Sequence, residues 1–289
     1  MLEGFAPKRQ TVEGIDIAFA IGGSGPPLLL LHGFPQSRIM WRKVAPRLAE
    51  RYTLVIPDLR GYGESAKPAS DPEHLPYSKR VMAQDQAALM TALGYQRFMV
   101  AGHDRGARVA HRLAKDHAAR VQKVAVLDIV PTRHVFERID QRVATAYYHW
   151  FFLIQPFDFP ERMIGADPDH FLRWTIGKWG RSADAVGEEA MAEYVRHFRD
   201  PACIHAACED YRAGASIDLS DDAADAAIKV GCPLLALWGA DSLVGRAYDV
   251  GAVWREYASD VSVASVPGGH FVPEESPDET VEAFATFFG

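Results

Sequence analysis

Short, uninterrupted apolar runs recur along the chain and alternate with stretches whose apolar positions repeat at helical spacing. Pro27–Leu31, Tyr52–Pro57, Arg97–Ala101, Val121–Leu127, Pro233–Trp238 and Val261–Val266 are such runs. A run without alternation suits a strand covered on both faces, as in a parallel sheet. Thr11–Ala20 alternates instead and predicts an edge strand. Helix patterns cover Trp41–Arg51, Tyr77–Leu93 and a segment beginning at Val109, and the chain closes on another over Pro277–Phe288. Strands alternating with helices predict an α/β fold, a mostly parallel sheet flanked by helices. The rhythm breaks after Val121–Leu127. Residues 133–213 are rich in aromatics and helix-like, with patterns over Thr132–Phe152, Pro168–Trp179 and Glu188–Phe198 and no clear strand. We therefore expect residues 1–132 and 214–289 to form the core and residues 133–213 a helical cap inserted into it.

The polar residues that end the strands form a set. His32, Asp58, Asp104, Asp128, Asp241 and His270 each follow a predicted strand, which places them on one rim of the sheet, where ligands of such folds bind. The cap should sit over that rim and close a cleft. Gly102-His103-Asp104-Arg105-Gly106 lies between a strand and a helix and has the spacing of a nucleophile elbow, with glycines where a Cβ would clash. Its middle residue is an aspartate. An aspartate that attacked an ester would form a mixed anhydride; one that attacks saturated carbon forms an ordinary alkyl ester, which water can open. An aspartate elbow with a histidine base therefore implies dehalogenation or epoxide opening. The chain order nucleophile, acid, histidine is met by Asp104, then Asp128 or Asp241, then His270 in a glycine-rich loop. The bland reading of Asp104 is a helix cap; the presence of His270 argues against it.

Charge narrows the substrate. Arg105 and Arg108 are three apart on the helix leaving the elbow and share a face. Two guanidiniums beside a helix N-terminus match a carboxylate; a neutral substrate would leave them unpaired near a dry site, at a cost of several kcal/mol. The competing reading pairs them with Asp58 or Glu64. The chain of 289 residues has a net charge of −7, which argues against nucleic acid or an anionic membrane as partner. Three cysteines without a CxxC spacing suggest neither a disulfide framework nor a zinc site. The first residues lack a signal-peptide pattern, and no apolar stretch approaches the ~18 residues of a membrane span. A cytoplasmic protein is expected.

The chain resembles the α/β-hydrolase superfamily through His32-Gly33-Phe34-Pro35, Asp58 to Ser65, the elbow and the His270 loop. Within it the chain is similar to the fluoroacetate (haloacetate) dehalogenases through His103 to Arg108, Leu127 to Thr132, Tyr148-His149-Trp150 and Glu209 to Gly214. The resemblance implies that Asp104 is the nucleophile, His270 the base and Asp128 its acid partner; that Arg105 and Arg108 bind the substrate carboxylate; and that His149, Trp150 and Tyr211 bind the leaving halide. His149 and Trp150 are neighbours and diverge by ~100° on a regular helix, so the halide must lie between them. Plain core packing is the rival reading of Trp150, and Tyr147 and Tyr148 are alternative donors. The backbones of Phe34 and Arg105 would form the oxyanion hole, and His32 would orient its loop. No metal or organic cofactor is implied. Dimerisation is implied by the resemblance alone. Two other functions fit part of the pattern. An epoxide hydrolase would share the nucleophile and use cap tyrosines among Tyr147, Tyr148, Tyr194 and Tyr211. A non-enzymatic receptor would share only the fold.

Overall fold

Eight strands form one sheet in the order β1-β2-β4-β3-β5-β6-β7-β8. They are β1 Ala6–Val12, β2 Ile15–Gly22, β3 Pro27–Leu31, β4 Thr53–Pro57, β5 Phe98–His103, β6 Val121–Leu127, β7 Leu234–Gly239 and β8 Val261–Val266. The computed structural model describes residues 2–181 and 183–289. From β4 to β8 all neighbours are parallel, whereas β1 and β2 are antiparallel to each other and β2 is antiparallel to β4. Apart from Val261–Val266, the apolar runs behave as their patterning predicts: β5 is buried at every residue, and Leu28–Leu31 of β3 are fully buried. The last strand, β8, pairs only with β7, which makes it an edge and leaves most of its residues partly or fully exposed.

Three local expectations are corrected. Thr11–Ala20 is not one strand but the middle of a hairpin, because Glu13 and Gly14 both take positive φ (+50° and +74°) and turn the chain through two residues between Val12 and Ile15. Thr132–Phe152 is not one helix but three: Thr132–Glu137, Gln141–Ala146 and Tyr148–Leu153. Asp140 starts the second by accepting a hydrogen bond from the Val143 amide, and Tyr147 (φ −95°, ψ +29°) leaves helical geometry before the third. A helix over Pro201–Gly214, capped by Asp200 at the Ala202 amide, has no counterpart in the expected elements. Among the described residues, everything between β6 and β7 is helical or irregular apart from an isolated bridge at Val230.

Parallel strands deliver their carboxyl ends to one rim. His32 follows β3, Asp58 follows β4, Asp104 follows β5, Asp128 follows β6 and His270 lies in the loop after β8. The helix Arg105–Asp116 packs back against β5 and β6, which fixes the direction of the turn that carries Asp104.

Candidate active site

One residue separates the end of β5 from the helix Arg105–Asp116, so Asp104 makes the whole turn, at φ +47° and ψ −116°. That conformation is costly for a residue with a Cβ, and its neighbours leave no room for one. A Cβ on Gly102 would lie 2.3 Å from the Gly106 carbonyl oxygen, and a Cβ on Gly106 would lie 2.2 Å from the His32 carbonyl oxygen. Gly33 packs over the nucleophile itself, where a Cβ would meet the Asp104 Cβ at 2.5 Å. The Asp104 carboxylate is buried; Oδ1 accepts the Phe34 amide at 2.9 Å, and Oδ2 lies 3.8 Å from His270 Nε2. Burial alone would raise its pKa, but the charges of His270 and of Arg108 and Arg105 outweigh burial and hold it below the usual carboxylate value.

His270 Nδ1 is 2.7 Å from Asp128 Oδ2, while the other oxygen of Asp128 accepts the Gly239 amide at 3.2 Å. This pairing fixes the tautomer and leaves Nε2 facing Asp104 with no hydrogen-bond partner among the described residues. Burial pulls the His270 pKa down, yet the hydrogen bond and charge of Asp128 and the charge of Asp104 raise it above the ordinary histidine value. Asp241, the alternative acid, is exposed and lies 3.3 Å from Arg181. The geometry thus brings Asp128 to His270 and takes Asp241 elsewhere. His32 is spent on its loop: Nδ1 is 3.0 Å from the Gly33 carbonyl, Nε2 accepts the Leu59 amide at 3.0 Å, and burial keeps the ring neutral.

The two arginines are not equivalent. Arg105 Nε and Nη2 meet Asp210 Oδ2 and Oδ1 at 3.0 and 2.7 Å, and Nη2 also reaches the Asp210 carbonyl at 2.6 Å. Only Nη1 is left uncommitted among the described residues. Arg108 has no carboxylate partner among them; its Nη1 donates to the Val130 carbonyl at 3.0 Å and the Thr132 hydroxyl at 2.8 Å, and its Nε is unpaired. Its guanidinium lies over the Trp150 ring at 4.7 Å. Burial and the neighbouring Arg105 lower its pKa. Asp58 and Glu64, the alternative partners, bind Arg38 instead.

The three expected halide donors converge. The Tyr211 ring lies 5.7 Å from His149 and 6.4 Å from Trp150, and so bridges the two diverging neighbours. The Tyr211 hydroxyl and His149 Nδ1 are buried without a partner among the described residues. Burial holds the tyrosine protonated, so its hydroxyl is a free donor, and keeps the imidazole neutral, with one nitrogen able to donate. Trp150 also packs as core, stacked on Tyr147 at 5.2 Å. Of the remaining cap tyrosines, Tyr194 is bonded to Glu274 at 3.1 Å and Tyr148 packs on Trp174 at 5.7 Å. Tyr147 lines a cavity of about 370 Å³, together with Asp104, Asp128, His149, Trp179 and His270. Arg105, Arg108, Trp150 and Tyr211 are not among its lining residues.

The alpha/beta hydrolase fold family model matches residues 26–277. A fluoroacetate dehalogenase from Burkholderia sp is 48% identical over 288 residues, which cover 99% of this chain and 95% of that one. The chain belongs to the α/β-hydrolases. A soluble epoxide hydrolase from Corynebacterium sp. (strain C12) is 36% identical, with 96% of this chain and 95% of that one covered. A Nostoc sp PCC 7120 protein assigned to the alpha/beta hydrolases has a crystal structure that matches this hydrolase with TM-score 0.99 and 55% identity, covering 100% of this chain and 99% of that one.

Parts of this hydrolase's site escaped the sequence reading. Asp210, within the motif Glu209 to Gly214, holds Arg105, accepts the Tyr62 hydroxyl at 2.7 Å and pairs with buried Lys79. Its neighbours Glu209 and Arg212 make the stretch read as a charged helix face, so nothing local marks Asp210 as a buried counter-charge. Glu274, four residues after His270, is a second buried hub: it binds Arg42, Gln36 and Tyr194, and burial pushes its pKa up to about 7. Away from the cavity, Glu161, His205 and Glu209 place ligand-type atoms within 4.8 Å of one another. Arg212 already pairs with both of those carboxylates.

Proposed function

We propose that this hydrolase converts a haloacetate, fluoroacetate or chloroacetate, into glycolate and halide through an ester on Asp104. The observation that carries the reading is the buried Arg108 guanidinium, one helical turn from the nucleophile and without a carboxylate partner among the described residues. A buried cation left unpaired is costly, and a substrate carboxylate supplies the missing charge. Arg105 contributes Nη1 to the same anion. The α-carbon of a haloacetate lies one bond from that carboxylate, so an acid held there presents its C–X bond to Asp104.

Asp104 attacks the α-carbon from the side opposite the halogen. The C–O bond forms as the C–X bond breaks, and halide leaves with the bonding pair. His149, Trp150 and Tyr211 replace the water that halide would otherwise need. The ester then sits beside His270 Nε2. A water molecule gives its proton to Nε2 and attacks Cγ of Asp104, and the oxyanion forms against the Phe34 and Arg105 amides. Collapse releases glycolate, whose oxygen takes the proton back from Nε2, and the second proton of the water leaves to solvent as the Asp104 carboxylate is restored. Asp128 orients the imidazole and balances its charge.

The chain divides, in this reading, into a core of residues 1–132 and 214–289 and a cap of residues 133–213 that supplies the halide donors. We further infer a cytoplasmic enzyme, in keeping with three free cysteines, and a homodimer, for which the exposed cap residues Phe159, Met163 and Trp174 offer apolar surface. No helix among the described residues is long and apolar enough to cross a membrane. The net charge of −7 supports no role for nucleic acid. Epoxide hydrolysis is the second reading, favoured by Tyr147 in the cavity and Tyr211 beside it; the unpaired Arg108 weighs against a neutral substrate.

One experiment separates these outcomes. In a single turnover in ¹⁸O water, label should enter Asp104 first and glycolate only in later turnovers. Label found at once in glycolate would exclude the covalent route, and diol formed from an epoxide without halide release from chloroacetate would favour the second reading. Ligand binding without either product would mark a receptor.

A further inference from the structure

We propose that the mouth of the Asp104 cavity is an anion-collecting vestibule, formed by Lys178, Arg181 and Arg246, that concentrates small carboxylates at the entrance. This rests on the haloacid reading of the buried site and adds a second, outer binding region to it. Three cations line the same cavity as Asp104 and His270, and all three are exposed, so they stand at its opening while the carboxylates stand at its floor. Arg181 is paired with Asp241 at 3.3 Å. Neither Lys178 nor Arg246 has an ion pair among the described residues. Arg142 donates to the Arg246 carbonyl at 3.2 Å and adds another cation close to the rim.

The need for such a region follows from charge. A protein with a net charge of −7 repels anions as a whole, and a carboxylate that enters the cavity approaches Asp104 and Asp128, both acidic. The compensating charges of Arg105 and Arg108 are not among the cavity's lining residues, so they act only once the substrate has arrived. Between solvent and floor, the cations at the mouth are what an anion meets. Charge of one sign in a cleft with low-dielectric walls focuses the field and raises the local concentration of the opposite ion. Because these side chains are solvated, the effect is screened by salt, with a Debye length of about 10 Å at 0.1 M. The field acts on any small anion, and under the haloacid reading the anions it serves are small monocarboxylates. The same field opposes escape of the product anions, so its strength is a compromise between capture and release.

Two variants test this. Lys178→Gln with Arg246→Gln should raise KM for chloroacetate about tenfold with little change in kcat, and should flatten the rise of KM with added salt that the parent protein shows. Asp241→Asn removes the carboxylate paired with Arg181 and frees that guanidinium, while Glu275, which accepts the Arg181 amide at 2.8 Å, stays in place, so it should lower KM. Melting temperatures verify that each variant is folded. A double variant whose KM and salt response match the parent would overturn the vestibule. A second readout does not depend on turnover. Trp179 lies between Lys178 and Arg181 and lines the cavity. Its emission, taken as the difference from Trp179→Phe, should be quenched by iodide more strongly than by neutral acrylamide, and that preference should vanish in the double variant. If the parent protein releases no halide from chloroacetate, the haloacid reading fails, while iodide quenching still decides the vestibule.

Discussion

Asp210 holds Arg105 by both carboxylate oxygens, with Nη2 2.7 Å from Oδ1 and Nε 3.0 Å from Oδ2. The same carboxylate pairs with buried Lys79. Asp210→Asn would leave two buried cations short of one charge. We expect a stability loss of roughly 3–5 kcal/mol, seen in urea unfolding, together with a raised KM as Arg105 loses its fixed orientation. Arg108→Gln should show the opposite balance. Arg108 has no ion pair among the described residues to break, so stability should fall less, while KM should rise by one to two orders of magnitude, as expected for losing a charged hydrogen-bond partner worth roughly 1.5–3 kcal/mol.

Tyr211→Phe separates folding from halide handling. The hydroxyl has no partner among the described residues, so its removal costs the resting fold no hydrogen bond, and the melting temperature should hold or rise. Fluoride keeps its hydration more tightly than chloride, so loss of the donor should slow fluoroacetate turnover about tenfold or more and chloroacetate turnover less. Equal slowing of both would mean that Tyr211 does not touch the halide.

The activity should have an acid limb set by His270, whose pKa is raised in the folded protein: burial lowers it, but the hydrogen bond and charge of Asp128 and the charge of Asp104 win. Neutral His270 is the base, so activity is lost as pH falls through a value above the ordinary 6.5. Alkylation of Asp104 erases one of the raising charges. The limb in kcat, which reports the ester, should therefore lie below the His270 value of the free enzyme, and kcat/KM, set by the alkylation that His270 does not assist, should not show it. Asp128→Asn removes the hydrogen-bonded anion, so it should lower this pKa and slow ester hydrolysis by roughly 10⁴. It should also let mass spectrometry detect a carboxymethyl group on Asp104. The stability linkage has the other sign: the raised histidine pKa stabilises the fold fully below about 6.5 and ceases to do so as pH rises through the folded value.

Gly106→Ala should destabilise by at least about 1–3 kcal/mol, because its Cβ would lie 2.2 Å from the His32 carbonyl, a backbone atom that cannot rotate away. Gly33→Ala meets the Asp104 side chain at 2.5 Å instead. Its loss should appear first in kcat. Thermal melts and initial rates distinguish the two.

The sheet and its rim were legible because continuous apolar runs have few ways to be buried, and because each ends in a polar residue at the same side of a parallel sheet. Asp104 and His270 could be read from chemistry and order alone. The choice between Asp128 and Asp241 could not, since both follow strands; it depends on where the β8 loop carries His270. The different fates of Arg105 and Arg108 were equally hidden. They share a helical face, and only the placement of the helix Pro201–Gly214 decides which of them meets Asp210. Helical periodicity also ran straight through Asp140 and Tyr147, where capping and backbone geometry end two short helices.

Among the described residues, four other than glycine hold a positive φ: Glu13, His74, Asp104 and Asp128. The last two sit at about +50° at the ends of β5 and β6, where glycine would rest without steric cost. The backbone thus prefers no side chain at the two points where the reaction needs a carboxylate. Selection for thermal robustness alone would drift toward Asp104→Gly and Asp128→Gly, and the chain it produced would be a quieter protein that keeps the cavity and has lost the ability to react.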